Sequence, residues 1–126
     1  RSLLVDKVFW LNGTVVGPPN VDCGIYTYAG ARIVSAGLTA QVGSTTTQSV
    51  DVTNTLLNAG LYYLALVMSA SNSAFFSLNL STSAQTRVAG FKEMATALPL
   101  PATATFAAPS VSVVLPFFGF TSKAVF

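Results

Sequence analysis

There is no histidine among the 126 residues, only one cysteine, and little charge of either sign. Each absence removes a class of chemistry. Without histidine, neither a Ser-His-Asp nor a Cys-His arrangement can be drawn from this chain, and the commonest zinc ligand is missing. A single cysteine, Cys23, allows no intrachain disulfide, and its alternation with Val21 and Ile25 reads as a buried apolar thiol. Six basic residues (Arg1, Lys7, Arg32, Arg87, Lys92, Lys123) and four acidic ones (Asp6, Asp22, Asp51, Glu93) are scattered singly. A nucleic-acid footprint needs basic residues gathered on one face, so no nucleic-acid partner is expected. No phosphate-cradling glycine pattern occurs, and no cofactor is expected.

The charged fraction is 8% against an apolar fraction of 52%, where an ordinary domain carries roughly 25% charge. Much of the surface is therefore uncharged or covered. The longest apolar runs, Leu61 to Met68 and Val113 to Phe118, fall far short of the roughly 20 residues of a spanning helix. A transmembrane barrel of eight strands of about 10 residues would overrun the chain, so no membrane insertion is expected. The opening "RSLLVDKVFWLNG" has no clear signal-peptide core or cleavage site. Starting without methionine, it is what a processed chain or a fragment would show.

Short runs of Thr, Val, Ser, Phe and Tyr, punctuated by Gly, Pro and Asn, predict an all-β domain. Asn12-Gly13 between "VFWL" and "TVV" signals a two-residue hairpin turn. Pro18-Pro19 would end that ribbon, so residues 1–20 read as an N-terminal hairpin or attachment segment and 21–126 as the main domain. In "VDCGIYTYAGARIVS", Val21, Cys23 and Ile25 share one face of a half-buried strand, and Ala29-Gly30 turns it into a second strand. "SVDVT" follows with Val50 and Val52 inward. "LYYLALVM" is apolar on both faces, as only a strand covered on two sides can be. It should turn through "SASNS" and return as "AFFSLNL", with Phe76, Leu78 and Leu80 on one face. Phe91 to Ala97 has room for one or two helical turns before Pro99 and Pro101. "VSVVLPFFGF" closes the chain as a strand bent by Pro116. About eight strands result, and an antiparallel two-sheet β-sandwich of jelly-roll-like order accommodates them.

The order of segments from Val21 to Phe120 resembles a module of tailed-bacteriophage structural proteins, the tail and head fibres. In that family a "GIY" strand is followed by a returning "LVxxG" strand, a Thr/Gly/Ser-rich loop, and an "LxPGxYYLA" strand. Gly24-Ile25-Tyr26, Ile33 to Gly37 and Leu57 to Ala65 take those places, with Ala59 where proline is frequent. "GFKEMATALPLPATATF" is similar to the family's "LPxxF" segment. The resemblance implies a non-enzymatic virion component, assembled in the bacterial cytoplasm. Its partners would be itself, as a homotrimer, other virion proteins, and a host cell-surface glycan.

Two further readings stand beside it: a carbohydrate-binding jelly-roll module, and a capsid or neck decoration protein without ligand. Trp10, Tyr26 and Tyr28 are, of the aromatics, those the strand phases would turn outward and are candidates for sugar stacking, but core or subunit-interface packing is the preferred reading of them. Tyr63, Phe117, Phe118, Phe120 and Phe126 are candidates for a subunit interface, since large apolar patches mark contacts. Asp22 and Asp51 are the nearest approach to a glycosidase pair. No catalytic or metal-binding residue is assigned. Asn12-Gly13-Thr14 and Asn79-Leu80-Ser81 match the glycosylation sequon by chance.

Overall fold

The computed structural model describes residues 2–14, 20–69, 75–79, 82–88, 90–92, 96, 98–106, 109 and 114–123. The fold is an antiparallel β-sandwich. In the first sheet β1 (Leu3–Leu11) lies between β5 (Thr47–Leu57) and β9 (Phe118–Lys123). In the second, β2 (Asn20–Thr27) has β6 (Tyr62–Met68) on one side and β3 (Arg32–Ser35) with the short β4 (Thr39–Ala40) on the other. A ribbon of β7 (Ser77–Asn79) and β8 (Val114–Pro116) hangs from the end of β1. Phe76 N donates to Leu11 O (3.0 Å), Leu11 N to Phe117 O (3.0 Å), and Phe117 N to Phe76 O (2.9 Å).

Side chains of both sheets meet between them. Val8 and Trp10 of β1 pack with Val21 and Cys23 of β2, and Val5 packs with Ile25, Val34 and Leu57. Val50 and Val52 point inward as their alternation predicts. Strand β1 reaches both clusters by changing phase. Its pairing with β9 jumps from Val5↔Ser122 to Lys7↔Thr121, which makes Asp6 the extra residue of a bulge. Without it, Val5 and Val8 would face opposite sides of the sheet.

Several expectations change. Both edges of β1 are occupied, by β5 and β9, so a strand returning from Asn12-Gly13 has no place beside it. Asn12 is instead buried: its Nδ2 donates to Val42 O (2.6 Å) and Gln48 Oε1 (3.2 Å), and its Oδ1 accepts from Gln41 Nε2 (2.8 Å). Those bonds make Asn12 a packing amide rather than a turn residue or glycosylation acceptor. Leu3–Leu11 is thus the centre of a sheet, not a separate attachment segment; residues 15–19 lie outside the described residues. The expected β6–β7 hairpin does not form, because β6 pairs with β2 and β7 with β8. The helix lies at Ser83–Val88 (α1), ahead of the expected position, while Lys92 forms a β-bridge to Pro109. Phe76 and Leu78 are exposed, and Leu80 falls outside the described residues. No helix among the described residues is long and apolar enough to cross a membrane.

Burial of β2 is what the half-buried reading understates. All six residues from Val21 to Tyr26 are buried. Asp22, Gly24 and Tyr26, on the face away from the sandwich interior, are covered by residues 98–106, a strap crossing the second sheet. Arg32 N donates to Ala102 O (2.8 Å), Ala104 N donates to Gly30 O (2.8 Å), and Ala31 bridges Thr103. Strap and turn approach so closely that a Cβ on Gly30, at φ 91°, would lie 1.9 Å from Ala104 O.

Gly37 also has positive φ (73°), but its Cβ direction is open. Gly37→Ala should therefore cost only the left-handed backbone penalty, about 1–2 kcal/mol. Gly30→Ala adds a backbone collision and should cost clearly more. Urea unfolding midpoints of the two variants check this ranking; equal losses would show that the strap is not seated on Gly30.

Candidate functional site

Of the residues expected to face outward, only Tyr28 does. Trp10 and Tyr26 are both fully buried. Trp10 is inward because the Asp6 bulge shifts the phase of β1, and its indole packs in the sandwich core. Tyr26 is on the outer face of β2 but beneath the strap, where its Oη donates to Pro101 O (2.7 Å). Burial pushes the Tyr26 phenol up in pKa, against the opposing pull of the Arg32 charge.

Tyr26 begins a row of rings that ends at the surface. Phe106 of the strap meets Tyr26 edge-on (centroids 5.2 Å apart, 83°) and Tyr63 at a tilt (4.5 Å, 37°). Tyr63, the cross-strand partner of Tyr26, stacks on Tyr28 (5.4 Å, 10°). Tyr28, at the β2–β3 turn, is 64% exposed. Desolvation, then the neighbouring Tyr28, raises the Tyr63 phenol. Such a stack offers an apolar face with polar tips, the chemistry that suits a sugar ring.

Beside this row runs the open flank of the sandwich. Among the described residues, β6 is paired only through β2, and two cavities lie along its other edge. The larger, about 650 Å³, is lined among others by Tyr63, Leu66, Phe91, Phe106, Leu115 and Phe118. The smaller, about 240 Å³, is reached between Leu3, Leu57, Tyr62 and Phe120. The larger volume falls within the range of small-molecule sites. Its walls are apolar and aromatic, with Lys92 the cation among the lining residues.

Of the residues expected at an interface, Phe118 and Phe120 pack on the molecule's own core clusters and Tyr63 on the strap. Phe117 is the exposed one, at 51%. Phe126 lies outside the described residues. The two faces of β6 are likewise covered from within: Leu64 and Leu66 by the sandwich core, Tyr63, Ala65 and Val67 by the strap cluster of Tyr26, Leu100 and Ala104.

The two aspartates are not brought together. Asp51 is exposed on the outer face of the first sheet, 3.1 Å from Lys7 Nζ. Asp22 is buried under the strap, where Oδ1 accepts from Gly37 N (2.9 Å) and Oδ2 from Leu100 N (2.9 Å). Both sheets separate them, and sheets pack about 10 Å apart. Glu93 lies outside the described residues. Leu100, Ala104 and Phe106 are the site residues that sequence reasoning missed; their apolar spacing in "LPATATF" was the available signal.

Asp22→Ala leaves the buried Leu100 N–H and the half-buried Gly37 N–H without their acceptor, so a loss of about 2–4 kcal/mol is expected in urea unfolding. A change below 0.5 kcal/mol would show that Asp22 does not hold the strap. Cys23 gives a second readout. Desolvation, then the neighbouring Asp22 charge, pushes its thiol up to about 12. A thiol whose pKa is raised on folding ionises first in the unfolded chain, so its contribution to stability falls as pH rises through 9 and beyond. At pH 8 it should resist iodoacetamide in the folded protein and react on unfolding. Fast labelling of folded protein would refute that burial.

No protein-family model matches this chain, no curated protein matches it, and no solved structure matches its fold.

Proposed function

We propose that this chain is a non-enzymatic structural protein of a tailed-bacteriophage particle, a fibre-type β-sandwich that acts through assembly and host-surface attachment. One observation carries the reading. The segments that resemble the fibre module form one unit: Gly24-Ile25-Tyr26 is on β2, Ile33 to Ser35 on the hairpin partner β3, and Tyr62 to Ala65, distant in sequence, on β6, with β2 paired to both. The "LPLPATATF" segment supplies the strap that covers them. A resemblance scattered over unrelated surfaces would not close into a single packed element. The fibre reading also implies self-association as a homotrimer, and partners among other virion proteins. Attachment would be multivalent, several weak sites on one particle raising avidity through effective concentration.

Immunogold labelling with antibody against the purified chain, applied to particles released from the bacterial source, tests this. Gold at a fixed position on the particles is expected. Its absence, with the chain recovered only in the soluble fraction, would sink the proposal.

A second reading, glycan binding, draws on the exposed Tyr28 stacked on Tyr63. If the pair holds a sugar ring, Tyr28→Ala should weaken binding on a glycan array by about two- to tenfold, since an aromatic stack is worth ~0.5–1.5 kcal/mol beyond its buried area. The fold should survive, because Tyr28 is on the surface. An array on which the parent chain binds nothing would remove this reading.

A further inference from the structure

The two cavities beside β6 make one track. Tyr62, Tyr63 and Leu64 wall both, whereas Ala65 and Leu66 wall the larger alone. A ligand lying along the strand therefore passes from about 650 Å³ of space into a further cavity of about 240 Å³. The walls are apolar at both ends, with Phe91, Phe106 and Phe118 around the larger and Leu3, Leu57 and Phe120 around the smaller. Apolar surface also reaches solvent at the rim: Val114 and Phe117 line the larger cavity and are 43% and 51% exposed. Exposed apolar surface that continues into a cavity marks a contact site. The length and narrowing of this one suit an elongated apolar ligand.

Charge along the track has one sign. Among the described residues, Lys92 is the only charged one that lines the larger cavity, and none lines the smaller. Lys7 and Lys123 are held by Asp51 and Asp6, and Arg32 by Leu100 O; among the described residues Lys92 has no carboxylate partner. The backbone adds a second donor. Ser69 N donates to Asn20 O (3.0 Å), and along an antiparallel strand the residues bonded to one neighbour alternate with those that are not. The N–H of Leu66 is therefore turned away from β2, on the side of the cavity that Leu66 lines. A cationic ligand would meet Lys92 with no carboxylate to offset it, and a neutral hydrocarbon would leave both donors unused. We propose that the track binds a free long-chain fatty acid, with the carboxylate at Lys92 and the alkyl chain running past Leu64 and Tyr62 into the smaller cavity.

This site goes beyond the virion reading and does not rest on it. Unlabelled particles would leave fatty-acid binding standing, and a chain indifferent to fatty acids would leave the virion reading standing.

Calorimetric titration of the full chain with octanoate, dodecanoate and tetradecanoate, each below its micelle concentration, tests the proposal. Saturable binding of one acid per chain is expected, with affinity rising about fourfold for each further methylene that the walls take up. Dodecanoate should bind more tightly than dodecyltrimethylammonium, which has the same tail and the opposite charge. Lys92 is exposed, so it can be changed without entering the core. Lys92→Gln should weaken dodecanoate binding by about two- to fivefold, the value of an exposed ion pair. Lys92→Glu should turn the preference toward the ammonium, a reversal that a loss of folding cannot produce. Tyr62, where the cavities join, is partly exposed; Tyr62→Glu should cost tetradecanoate more than octanoate. When phosphatidylglycerol vesicles are sedimented, the chain should stay in solution. No saturable binding by the parent, affinity indifferent to chain length, equal binding of the two dodecyl ligands, a preference unmoved by Lys92→Glu, or capture on the vesicles in place of the free acid would overturn the proposal.

Discussion

Asp22 stands where three separate pieces of the chain meet, and its carboxylate is what they share. One oxygen takes the N–H of Gly37, after β3, and the other that of Leu100 in the strap. A carboxylate fully removed from water is costly unless its acceptor sites are filled. Here the filling groups are backbone donors, which are themselves costly to bury unbonded. The aspartate and the strap therefore require each other. Once the strap is seated, Leu100 and Ala104 close over Tyr26, and β2 becomes a strand with no face toward water. Arg32 adds a second clasp by donating from its guanidinium to Leu100 O.

The layering that follows explains how so little charge can be tolerated. The charged side chains of the first sheet sit on its outer face and edge: Lys7 with Asp51, and Asp6 between the Thr121 hydroxyl (2.6 Å) and Lys123 (3.7 Å). The Thr121 bond first, then the charge of Lys123, holds the Asp6 carboxyl below its usual range. Its contribution is thus present above the ordinary carboxylate range and lost as pH falls. The second sheet has instead the strap as its solvent side. Apolar residues there are inner-layer residues of a structure with one more layer than two sheets alone provide.

Much of this was legible in the residues. The alternation of Val21, Cys23 and Ile25, the Ala29-Gly30 turn, the inward Val50 and Val52, and the two-faced character of "LYYLALVM" all correspond to the structure. These are local patterns of period two, and local patterns survive folding when burial supports them. What was not legible depends on partners distant in sequence. The bulge at Asp6 inverts the phase of Trp10, and nothing near residue 6 signals it. Tyr26 was misplaced because its cover comes from residues 75 positions on. Asn12-Gly13 has the local chemistry of a turn, yet Gln41, Val42 and Gln48 claim the amide. The aromatic row was half visible: Tyr28 and Tyr63 could be picked out singly, but their stacking required the β2–β6 register.

The strap also imposes an order of events. Its closing bond joins residues 78 positions apart, and contacts so distant are slow to form, because the loop between them must be closed before they give anything back. On a growing chain, β2 and β3 are made long before residues 98–106. Until then Asp22 must remain hydrated, and the outer faces of β2 and β6 are bare. The finished sandwich hides this stage, but the nascent chain passes through it every time: a sheet waiting for its cover, at the point in its life when unwanted neighbours are most easily acquired.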